Sequence, residues 1–102
     1  MSVKVDIREG ISVAEQAEYM NKRLAKLGKS EIGVGFSQCF HFYAGTGCHS
    51  YIFSNTLTME QVSAIVADKS VPYDKVKSDL NNLDQTTKLL FVDVEFGGMW
   101  VF

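Results

Sequence analysis

The sequence predicts an α+β domain: an antiparallel sheet of four or five strands with helices on one face. The expected element order is a ferredoxin-like βαββαβ with a split second helix and a short C-terminal strand. Three observations predict it. Apolar residues at Val13, Ala17, Met20, Leu24 and Leu27 recur at helical spacing. Period-two patterning runs through residues 32–54 and 88–96. The pairs Ser12/Glu15 and Thr58/Gln61 carry the capping-box signature, in which each side chain satisfies the other's free backbone N–H at a helix start.

Taken in chain order, residues 4–8 alternate polar and apolar, so Val3, Val5 and Ile7 share one face of a first strand that Gly10 ends. The first helix follows from Ser12 and closes at Gly28 in the C′ position. Glu15 and Glu18 near its start and Lys22, Arg23 and Lys26 near its end match the helix dipole. From Ile32 the even positions are Ile32, Val34, Phe36, Gln38, Phe40 and Phe42, and Ala44-Gly45-Thr46-Gly47 turns the chain into a return strand, 48–54. A one-residue slip exchanges the faces of a strand. The expected register pairs Tyr43 with Cys48, Phe42 with His49, Phe40 with Tyr51 and Gln38 with Phe53, which gathers one aromatic face.

Thr58 opens a short helix with Met59, Val62, Ile65 and Val66 inward, and Pro72 sits in the first turn of another with the stripe Tyr73, Val76, Leu80 and Leu83. Residues 81, 82 and 84–87 read as loop. A strand over 88–96 then buries Leu90, Val92, Val94 and Phe96. Gly97-Gly98 allows a tight return of residues 99–102, setting Trp100 opposite Glu95 and Phe102 opposite Asp93.

The chain has 102 residues, which fits one domain over 1–102. With 46% apolar and 22% charged residues and one proline, it is neither disordered nor collagen-like. A pI near 5.6 and scattered acids argue against a basic nucleic-acid footprint, and residues 48–53 lack the glycines and basic start of an RNA-binding strand motif. No apolar run has the length of a signal-peptide core or a membrane span, and two cysteines are too few for a disulfide scaffold. The expectation is a cytoplasmic protein.

Cys39, His41, Cys48 and His49 form the one cluster with the flavour of a chemical site. Its spacing lacks the Cys-x₂₋₄-Cys knuckle of structural zinc, and the expected register turns His49 to the other face. Cys39 and Cys48 would lie some 13 Å apart along the strand. Neither metal nor cofactor is expected. A Cys48–His41 nucleophile pair has only Ser50 to orient the histidine and no evident oxyanion donors. Gly33-Val34-Gly35 is a lone G-x-G within a strand pattern, a place for close approach of backbone or ligand rather than a dinucleotide fingerprint. Lys22, Lys26 and Lys29, with Arg23 beside them, read as a solvated helix face.

With helices on one face, Leu89, Phe91, Asp93 and Glu95 point away from them. Tyr43, Cys39, His41, Cys48, Trp100 and Phe102 join them on that open side. Such a surface is more apolar than a monomer ordinarily exposes. The leading expectation is a non-catalytic protein-interaction module that associates with itself, as a homodimer or higher, or with another protein. Its anchors would be Tyr43, Leu89, Phe91, Trp100 and Phe102, and its size suits a small accessory or inhibitory protein. The alternative is a small-ligand-binding domain or minor enzyme using Gly33, Gly35, His41, Cys48, Asp93 and Glu95. There the two carboxylates stand roughly 6–7 Å apart between Cα atoms.

Overall fold

The computed structural model describes residues 5–7, 12–43, 48–67, 73–93 and 97–102, with backbone alone at 5–7, 43 and 48. The expectations that fall on Val3, Gly10, the 44–47 turn, Pro72, Val94, Glu95 and Phe96 lie outside these residues. The element order is β1 (Val5–Ile7), α1 (Val13–Lys26), β2 (Gln38–Tyr43), β3 (Cys48–Ser54), α2 (Met59–Val66), α3 (Tyr73–Leu83), β4 (Lys88–Asp93) and β5 (Met99–Val101). The five strands form one antiparallel sheet in the order β1-β2-β3-β4-β5.

Local sequence sets the helix ends. Ser12 is the N-cap of α1, its hydroxyl accepting from the Glu15 N–H at 3.1 Å. At the other end the Gly28 N–H bonds the Ala25 carbonyl and the Lys29 N–H bonds the Leu24 carbonyl, the paired contacts of a Schellman motif. Thr58 and Gln61 complete a reciprocal capping box on α2. Helix α3 runs through Asn81 and Asn82 to Leu83, beyond the expected loop boundary, and Leu83 is exposed instead of completing the inward stripe.

The sheet differs from the ferredoxin-like expectation. In a split βαβ unit another strand separates the two that a helix connects; here α1 joins β1 and β2, which are immediate antiparallel neighbours. Both helical connections join adjacent strands, so each can pass over either face, and they take opposite ones. Helix α1 buries Ala17, Met20 and Leu24 with Cys39, Tyr51, Phe53, Leu90, Val92 and Met99. Helices α2 and α3 bury Val62, Val66, Val76 and Leu80 with Phe40, Phe42, Ile52 and Leu89 on the other face. The result is helix, sheet, helix in three layers. Leu89 and Leu90 are adjacent in sequence, face opposite layers, and are both 0% exposed. The expected open sheet face is therefore covered.

Two registers follow from that covering. Strand β2 pairs Tyr43 with His49, His41 with Tyr51 and Phe40 with Ile52, one residue away from the expected pairing. The expectation collected Phe40, Phe42, Tyr51 and Phe53 on one side. With both faces buried, Phe40 and Phe42 serve one core while Tyr51 and Phe53 serve the other. Strand β5 pairs Phe91 with Trp100 and Leu90 with Val101, four residues from the expected register. The Gly97 N–H then bonds the Asp93 carbonyl.

The segment between α1 and β2 is anchored by Asn21, a buried polar residue on α1. Its side-chain oxygen accepts from the Ile32 N–H at 2.8 Å and its amide donates to the Gly33 carbonyl at 2.9 Å. Gly33 and Gly35 lie in this connection, not in a strand. Their φ angles of 95° and 90° are what glycine supplies, and a Cβ on either would meet nothing within 4 Å. Conformation, not close approach, accounts for them.

Candidate functional site

Two groupings of side chains stand apart from the cores. The first lies where β5 ends the sheet. The Tyr73 ring, from the first turn of α3, meets Phe91 edge-on at 4.8 Å and stacks with Phe102 at 5.6 Å, while Phe91 packs against Trp100 at 5.4 Å. The Tyr73 hydroxyl is within 2.9 Å of the Ser50 hydroxyl, which ties the cluster to the centre of the sheet. Trp100, Val101 and Phe102 remain 44%, 38% and 37% exposed. Gly98 makes way for the indole: a Cβ at that position would stand 2.7 Å from the Trp100 ring.

Lys29 reaches this margin from the end of α1. Its ammonium sits 5.2 Å from the centre of the Trp100 ring and donates to the Met99 carbonyl. Phe102 and Gly98 bond inward to β4, through the Phe102 N–H to the Leu89 carbonyl and the Asp93 N–H to the Gly98 carbonyl. By antiparallel alternation Met99 and Val101 turn their backbone groups to the free edge. Lys29 thus occupies one of the few acceptors that an added strand would use. A shallow cleft of about 630 Å³ opens beside it, between residues 28–31 and Lys88, Trp100, Val101 and Phe102.

The second grouping is a histidine pair at the far end of the β2–β3 ladder. His41 and His49 are diagonal neighbours on the face that α1 covers, with His41 Nε2 and His49 Nδ1 2.7 Å apart. Tyr51 lies beside His41, ring centres 4.9 Å apart. The observed register thus returns His49 to the face of Cys39 and His41, where the expected one had removed it. Among the described residues no group of three or more His, Cys, Asp or Glu is arranged to hold a metal ion.

The residues expected to act together are partly gathered. Of the expected interface, Phe91, Trp100 and Phe102 share one cluster, Leu89 is sealed beneath α2 and α3, and Tyr43 lies on β2, separated from β4 by β3 and paired with His49. Of the expected ligand set, His41 is on the α1 face, whereas Cys48 and Asp93 pair with each other on the opposite one. Gly33 and Gly35 precede β2 and so lie at the end of that strand remote from His41, and Glu95 is outside the described residues. A Cys48–His41 dyad and a joint His41–Asp93 pocket both lack the shared face they would need.

Sequence reasoning missed Tyr73 and Lys29 as members of the β5 cluster. Tyr73 occupies a core position of the helical stripe, and Lys29 follows a helix end; the available signal was Tyr73's hydroxyl, which needs a polar partner once buried. Asp84 was also missed. Its carboxylate accepts from the Thr86 hydroxyl and N–H at 2.7 and 2.9 Å and from the Ser54 and Thr56 hydroxyls at 2.9 and 3.1 Å. Those hydrogen bonds, Thr86 foremost and then Ser54 and Thr56, hold the carboxyl well below the usual carboxylate range. Nearby, burial lowers the Lys77 ammonium to about 8, with the Lys88 charge adding to the effect and Asp84 opposing it. Both are structural ties of the α3–β4 connection. No protein-family model matches the chain, and neither a curated protein nor a solved structure shows significant similarity to it.

Proposed function

We propose that the chain is a non-catalytic protein-interaction module whose binding surface is the β5 margin, with Trp100 and Phe102 as anchors and Phe91 and Tyr73 as their support. One observation carries the reading: three consecutive apolar side chains stay exposed at the rim of a sheet whose central strands bury described residues on both faces. Tryptophan braced by other rings is the side chain most often dominant at protein interfaces. Because Lys29 holds the Met99 carbonyl, a partner docks on the side chains and not by adding a strand. The partner is a second copy or another protein, and an accessory or inhibitory role requires nothing more than such an occupied surface.

The test combines sedimentation equilibrium with affinity capture from the native host, using wild type and Trp100→Ala in parallel. Loss of a dominant anchor weakens association by roughly 30-fold or more. Self-association or a captured protein that disappears in the variant supports the reading. A wild-type monomer at high concentration, together with identical captured proteins for both chains, overturns it.

A further inference from the structure

We propose that the cleft beside β5 binds a carboxylate carried next to an apolar side chain. The partner is then another protein that presents an aspartate or glutamate beside such a residue. The inference rests on the reading of the β5 margin as a binding surface and names what that surface selects. Two ammonium groups line the cleft, those of Lys29 and Lys88, against one acidic side chain, Glu31. Among the described residues the Lys88 ammonium has neither an ion pair nor a side-chain hydrogen bond. It lies close enough to Lys77 for the two like charges to repel each other. An anion beside Lys88 relieves that repulsion.

Donors and apolar walls meet in this one place. Lys29 commits one of its three N–H groups to the Met99 carbonyl, which leaves two. The Ser30 hydroxyl adds a neutral donor to the same lining, and so does the Val101 N–H, which the alternation of β5 turns to the free edge. Beside them stand the exposed side chains of Trp100 and Phe102. The volume of about 630 Å³ falls within the range of clefts that hold small ligands, so two adjacent side chains of a partner have room. Carboxylate oxygens only accept hydrogen bonds, and this lining offers donors in excess. A carboxamide in the same position brings its own N–H groups against those donors and carries no charge for the two ammoniums. The cleft therefore separates an acid from its amide.

The experiment titrates two capped dipeptides, acetyl-phenylalanyl-glutamyl-amide and its glutaminyl counterpart, into the intact chain at neutral pH and low salt. Trp100 is the chain's one tryptophan, so its fluorescence reports occupancy of this cleft, and amide shifts in NMR locate it. The acid binds with a dissociation constant of about 1–10 mM, at least about threefold more tightly than the amide. Lys88→Gln weakens the acid by about threefold and leaves the amide unchanged, while Glu31→Gln tightens the acid by a similar factor. Equal affinity for acid and amide, or no response to either at about 20 mM, overturns the proposal. So does a Lys88→Gln chain of unchanged circular dichroism that binds the acid as wild type does. Self-association that saturating dipeptide leaves intact overturns it too, because a second copy then fills the rim without using the anion site. The association test with Trp100→Ala decides the binding-surface reading separately, so that reading can stand where the carboxylate preference falls.

Discussion

Asn21→Ala isolates what one buried amide contributes. The substitution removes two hydrogen bonds, from the Ile32 N–H at 2.8 Å and to the Gly33 carbonyl at 2.9 Å. Each is worth about 1 kcal/mol net, and the Ile32 N–H, buried with its residue, is left without that acceptor at a cost of about 1–3 kcal/mol. Alanine returns about 0.5 kcal/mol of helix propensity. The expected net loss is about 2–3 kcal/mol, or roughly 10–20 °C in Tm for a chain of this size. Urea unfolding followed by circular dichroism measures it, with an unchanged m-value and faster amide exchange at Ile32. Lys22→Ala, one residue away, is the control: its ion pair with Glu18 is 3.1 Å long but well exposed, so its loss stays within about 0.5 kcal/mol. A loss below about 0.5 kcal/mol for Asn21→Ala would refute the anchoring argument, since the loop would then be held by its apolar contacts alone.

Three further outcomes follow from the same hydrogen bonds and charges. The Asp84 carboxyl titrates lower in the folded chain than unfolded, so its stabilisation is present above the usual carboxylate value near 4 and is lost as pH falls below it; Asp84→Asn flattens that acid limb in unfolding curves taken from pH 6 to pH 2. Lys77 titrates near 8 when folded against about 10.4 unfolded, so the unfolded chain holds more protons between those values and stability rises with pH across the window. Lys77→Met removes that rise, and parallel profiles for the two chains would contradict it. Thr58→Ala opens the capping box of α2 and costs about 1 kcal/mol in the same unfolding assay.

The elements were legible because their signals are local. Ser12, Thr58 and Gln61 announce helix starts through bonds to backbone three residues away, and the structure makes those bonds. The faces were not legible by alternation. Tyr51-Ile52-Phe53 and Leu89-Leu90 are continuous apolar runs, the pattern of strands covered on both sides, and reading them as half-buried strands produced one open face that the helices in fact close. The hairpin register failed for the same reason, and with it the separation of His49 from His41. The side of the sheet on which a helix passes depends on packing between distant segments, for which no residue near α1 carries a code. Phe91, Trp100 and Phe102 came together nonetheless, because the parity of β5 against β4 survives a shift of four residues.

Lys29 links two boundaries that are usually managed separately. Its backbone N–H finishes α1, and its ammonium stoppers the exposed rim of β5. An uncapped rim of this kind can recruit further chains without limit, since each recruit presents the same rim again. Tying the stopper to a helix terminus means it is in place only when α1 has docked. Open-ended polymerisation is thereby restrained in the finished fold, whereas nascent or partly melted chains carry the hazard.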